Sequence, residues 1–186
     1  MTRLEDSPTA IADVSVKSLK LPGIILGVGL GGFLDGIVLH QLLQWHHMLT
    51  SVDSSRIPGS YPADTVHGLQ INTVWDGLFH TFTWLAVLTG LGLLYSRLTR
   101  SRGRVWTSGA LWGWMLVGWG SFNLVEGLVD HQILGIHHVR TGEHQLLWDM
   151  GFLALGAILV AAGWLLQRSA KPFDLDADRG RTNTAP

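Results

Sequence analysis

The sequence predicts an all-α integral membrane protein: a four-helix up-down-up-down bundle built from two tandem helical hairpins in the same orientation. Three observations predict it. Four apolar stretches are long enough to cross a bilayer, basic residues gather at alternate ends of them, and one polar motif occurs twice. Composition agrees, because 47% hydrophobic and only 15% charged residues is far from the roughly 25% charge of soluble domains.

The apolar stretches cover residues 21–48, 68–96, 106–138 and 145–167, each holding about the 20 residues that a hydrocarbon core requires. Helices are the expected form, since alternating barrel strands are absent. The third stretch, with Trp106, Trp112, Trp114 and Trp119 among Leu, Val and Gly, reads as the least ambiguous; its polar end from Asn123 onward projects beyond the membrane. Residues 1–20 are read as a cytoplasmic N-terminal segment, 21–168 as the transmembrane domain and 169–186 as a disordered cytoplasmic tail.

Basic residues set the direction, because short loops rich in Lys and Arg stay cytoplasmic. Eleven of the thirteen lie before the first stretch, between the second and third, or after the fourth; only Arg56 and Arg140 occupy the other two loops. Both termini of this multi-pass chain are therefore expected on the cytoplasmic side. The first stretch lacks a cleavage site of the signal-peptide kind and reads as retained.

The repeat is internal. Asp35–Met48 (DGIVLHQLLQWHHM) aligns with Glu126–Val139 (EGLVDHQILGIHHV) with seven identities in fourteen, including all three His of each segment. A weaker echo, Trp75-Asp76-x2-Phe79 and Trp148-Asp149-x2-Phe152, links the even stretches. The repeat units, about 21–96 and 106–167, imply a pseudo-twofold axis along the membrane normal.

All nine His fall in the extracytoplasmic half of this bundle. At about 1.5 Å per residue, His46, His47, His137 and His138 are outermost. A layer of His40, Asp76, His131 and Asp149, one from each helix, lies deeper, and Asp35, Glu126 and His80 deeper still. Facing side chains of a bundle converge on such a layer as on a metal site. Helical phase brings His40 with His47 and His131 with His138 onto common faces, and Asp76 above His80. His67 and His144 read as solvent-exposed loop residues. Intramembrane carboxylates cost about 2.5–3.5 kcal/mol each, so Asp35, Asp76, Glu126 and Asp149 require compensation by metal or by hydrogen-bonded His.

The absence of Cys removes thiolate centres and disulfides, and the net charge of −1 with no basic run argues against nucleic acid. Imidazole and carboxylate suit iron or copper best, with zinc as another option and b-type haem, on His40 and His131, less fitting. The expected function is a membrane metalloprotein with a redox-active centre. If it is an enzyme, a metal-dependent oxidoreductase is favoured over a zinc hydrolase, with Glu126, Asp130 or Asp35 as proton-handling catalytic groups. The other readings are a metal-binding accessory or delivery protein, and a metal-ion or proton transporter, against which the inner half offers no His.

The segments FLDGIVLHQLLQWHHM, NTVWDGLFH and FNLVEGLVDHQILGIHHV together resemble a family of bacterial predicted membrane proteins known only as a domain of unknown function, over about residues 20–168. The resemblance implies a loose link with respiratory-oxidase assembly and so with metal or electron-transfer chemistry. The partners expected are the lipid bilayer, respiratory-chain components and, as an option, further copies in a homo-oligomer.

Overall fold

The computed structural model describes residues 8–52, 59–100 and 108–170. Among them the chain is entirely helical: α1 (Pro8–Asp35), α2 (Val66–Arg100), α3 (Ser108–Glu126) and α4 (Gln145–Ser169). The tail expected after residue 168 and the linker before α3 lie almost wholly outside the described residues.

Where the motif repeats, so does a departure from α-helical winding. α1 passes into a π-helical stretch at Gly36–Leu42, and α3 into another at Gly127–Leu134. Each ends on one left-handed residue at the same place in the repeat, Gln44 (φ 49°) and Gly135 (φ 61°). The regular helix of the first stretch thus stops short of residue 48, because the left-handed turn redirects the chain so that His46 and His47 lie beyond the helix.

α1 packs against both α2 and α3, and α3 also against α4. Glycines allow this approach, as small residues do where membrane helices meet closely. A Cβ on Gly27 would overlap the Met115 carbonyl, and one on Gly118 the Ile24 carbonyl. The order of contacts differs between pairs. Along α1, Gly23, Gly27 and Gly31 face Trp114, Met115 and Trp119 in ascending order, whereas Gly29, Gly32 and Gly36 face Val87, Thr83 and His80 in descending order. On α3, Gly113, Gly120 and Gly127 face Gln167, Val160 and Leu153, again descending.

Polarity is inverted relative to a water-soluble fold. Asp35, Asn72, Asp76, Asn123, Glu126, Asp149 and five His are buried, while Leu78, Phe82, Leu85, Leu88 and Leu91 of α2 and Leu147, Leu155, Ile158 and Leu165 of α4 are exposed. Large contiguous apolar surface of this kind requires a nonaqueous surrounding. Leu19–Leu42, Val66–Thr99 and Gln145–Ser169 are long and apolar enough to cross a membrane. α3 is not among them. Its Trp, Gly, Ser and Asn residues lower its mean hydropathy, and its place between α1 and α4 reduces its need for an apolar surface.

Candidate metal centre

The π-helical winding decides which side chains meet. A π-helix closes hydrogen bonds from i to i+5 and commonly marks a functional site. In each repeat an acidic residue and a His stand five apart, Asp35 with His40 and Glu126 with His131. His40 Nε2 lies 3.3 Å from Asp35 Oδ2. The redirected chain beyond then adds His46 to the first pair and His137 to the second. Asp35, His40 and His46 offer donor atoms within 4.8 Å of one another, and Glu126, His131 and His137 do likewise. All six are buried.

The two triads abut. The His46 ring stacks on His137 at 4.9 Å between centroids and 6° between planes, with His40 4.4 Å from His46 and His131 4.9 Å from His137. Glu126 Oε1 lies 3.4 Å from His137 Nε2. The result is one compact cluster of four imidazoles and two carboxylates.

Asp76 of α2 and Asp149 of α4 stand behind the rings. Asp76 accepts hydrogen bonds from His40 Nδ1 (3.0 Å), His47 Nδ1 (2.6 Å) and the Met48 N–H (3.1 Å). Asp149 accepts from His138 Nδ1 (2.7 Å) and the Val139 N–H (3.0 Å), with His131 Nδ1 at 3.5 Å. Such contacts fix ring orientation and turn the other nitrogen toward a ligand. His46 is held across the repeat, its Nδ1 donating to the Val139 carbonyl at 2.9 Å. The Phe residues of the weaker echo pack on the same rings, Phe79 on His40 at 5.7 Å and Phe152 on His131 at 5.4 Å.

Beyond the ends of the helices, burial pushes the His46 imidazole down to about 4 and holds His137 well below the usual histidine range. Both are therefore neutral near pH 7 and keep a lone pair for a ligand.

Hydrogen bonding leaves much of the cluster unsatisfied. Eleven described buried side-chain N or O atoms make no hydrogen bond, and eight of them belong to these six residues: Asp35 Oδ2, His40 Nε2, His46 Nε2, Glu126 Oε2 and both nitrogens of His131 and of His137, the approaches of His40 to Asp35, His137 to Glu126 and His131 to Asp149 at 3.3–3.5 Å being ion-pair contacts without hydrogen-bond geometry. Orphaned polar atoms each cost about 1–3 kcal/mol, and their concentration at one point calls for a shared partner. The donor set, two imidazoles and one carboxylate per triad, fits a transition-metal ion.

The remaining sequence candidates occupy other places. His47 and His138 bond to Asp76 and Asp149 at the outer edge. His80 donates from Nδ1 to the Asp76 carbonyl at 2.8 Å and stands outside both triads. Asp130 is half-buried and also outside them. His67 and His144 are exposed. The layer of one residue from each helix is replaced by two triads, each drawn from a single motif, with Asp76 and Asp149 bracing them. Asn72, one turn before Asp76, supports the outer end, accepting from the Leu49 N–H at 2.8 Å and donating to the Gly68 carbonyl at 3.0 Å.

No curated protein and no solved structure matches the chain. One family profile does, over residues 22–170, a span that takes in the second half of α1, the other three helices and both motifs. The chain belongs to that family, DUF2243, described as predicted membrane proteins.

Proposed function

We propose that this chain is a membrane metalloprotein whose cluster of Asp35, His40, His46, Glu126, His131 and His137 holds a pair of transition-metal ions, one per triad, in a redox-active centre. The eight orphaned donor atoms carry the reading. Two imidazoles and one carboxylate with open positions are the ligand set of non-haem iron, and copper is the other candidate. When bound, such ions supply one-electron chemistry. The protein's own part is to bind and orient them: Asp76 fixes His40 and His47 through Nδ1, the Val139 carbonyl fixes His46, and burial excludes water from all six ligands. That burial weighs against a delivery protein, which must take up and release metal at its surface.

The proposal includes topology. Descending contacts between α1 and α2 and between α3 and α4, with ascending contacts between α1 and α3, support an up-down-up-down bundle of two hairpins in one orientation. With the basic residues cytoplasmic, the cluster stands in the extracytoplasmic half of a transmembrane domain at 21–168.

The test is metal quantification by mass spectrometry on detergent-purified protein, beside a His40→Ala/His131→Ala variant. Two equivalents of iron or copper, lost in the variant, are expected. Equal, substoichiometric metal in both after reconstitution would overturn the reading.

A further inference from the structure

An apolar cavity of about 330 Å³ runs between α1, α3 and α4 and reaches Asp35, one of the six cluster residues. Trp45, Trp119 and Trp148 wall it. The Arg140 guanidinium lies 5.2 Å from the Trp45 ring and 5.8 Å from Trp148, tying these two together at the outer end. Leu34 and Leu155, which also line the cavity, are nearly half exposed on the apolar flank, so the route in comes from the bilayer. Two polar groups interrupt the lining. Asp35 brings a buried carboxylate whose Oδ2 lies 3.3 Å from His40 Nε2, and Asn123, only 2% exposed, has a buried Oδ1 that makes no hydrogen bond.

A cavity of this size is suited to a small organic molecule. Aromatic walls select a flat ring, and a buried carboxylate beside an unbonded amide oxygen selects a ligand that donates from hydroxyls rather than one that only accepts. The repeat makes the feature one-sided, because the residue at the place of Asn123 in the first motif is Gly32.

We infer that this cavity binds a lipid-soluble hydroxyaromatic ring of the hydroquinone class, with its hydroxyls donating to Asp35 and Asn123. The inference deepens the metal reading, on which it rests for the role of Asp35, by naming the class of molecule brought beside the cluster. Binding itself requires only the cavity.

The full chain in nanodiscs, metal-loaded and metal-stripped, would be titrated anaerobically with tetramethylhydroquinone and with its dimethyl ether, following Trp fluorescence. The hydroquinone should quench saturably, and the ether, which keeps neither hydroxyl donor, should bind about a hundredfold more weakly, the worth of two hydrogen bonds. Asn123→Leu should weaken the hydroquinone by about tenfold, the worth of one. Gly151→Leu should abolish saturation, because Gly151 lines the cavity and a Cβ there meets nothing within 4 Å, so the added bulk starts from the cavity wall without displacing a neighbour at Cβ. Linear quenching without saturation, equal titration by the ether, or full binding by Gly151→Leu with wild-type helicity would overturn the inference. Saturable binding in a protein that retains no metal would uphold the cavity and sink the metal reading, whereas bound metal with no saturable quenching would do the reverse.

Discussion

Asp76 and Asp149 set the orientation of the rings without standing in either triad. Asp76→Asn keeps the shape but puts an amide where one carboxylate serves two imidazoles and a backbone N–H, so metal affinity should fall about 10–100-fold. Chelator competition measures this directly; unchanged affinity would make Asp76 a packing residue. At this scale the sequence was informative about residue types and less so about partners. Both triads lie within the duplicated motif, and all six members were visible there as candidates. Phase at 100° per residue pairs His40 with His47, and both rings do meet at Asp76; what it does not show is Asp35, which the π-helical winding brings under His40 at a spacing of five. The duplicated spacing acidic-x4-His was the available signal, since it has meaning in a π-helix and little in an α-helix.

Each π-helical stretch depends on the residue that ends it. Gly135 takes its left-handed conformation at no steric cost, whereas Gln44 bears about 1–2 kcal/mol for the same φ. Gln44→Gly should therefore raise the thermal unfolding midpoint in detergent, and Gly135→Gln should lower it. Opposite signs would show that Gln44 makes a contact worth more than its strain. Helix contacts give a second contrast. Gly27→Leu would drive a side chain into the Met115 backbone and should prevent α1 and α3 from packing, while Gly77→Ala and Gly92→Ala meet open space and should be tolerated. Fluorescence-detected gel filtration separates these outcomes. The helices themselves were legible from apolar length. The weight placed on the third was not matched by its hydropathy, since Trp and Gly mark a helix packed among others rather than one facing lipid.

For the molecule as a whole, the natural absence of Cys makes topology accessible to single-Cys labelling. Thr141→Cys, at an exposed position between α3 and α4, should react with a membrane-impermeant maleimide from the extracytoplasmic side, and Ser101→Cys only after lysis. The reverse pattern would invert the proposed orientation. The inverted distribution of polarity was foreshadowed by composition, but the glycine contacts that order the helices required the three-dimensional arrangement. One link between the repeats carries a further consequence. His46 donates to the Val139 carbonyl and the Ser51 N–H to the Ile136 carbonyl, so the segment leaving the first motif is bonded to the segment leaving the second. The halves are thus complementary fragments. Co-expressed as separate polypeptides divided between residues 100 and 108, they should reassemble and co-purify, and neither alone should form the stacked His46–His137 pair around which they join.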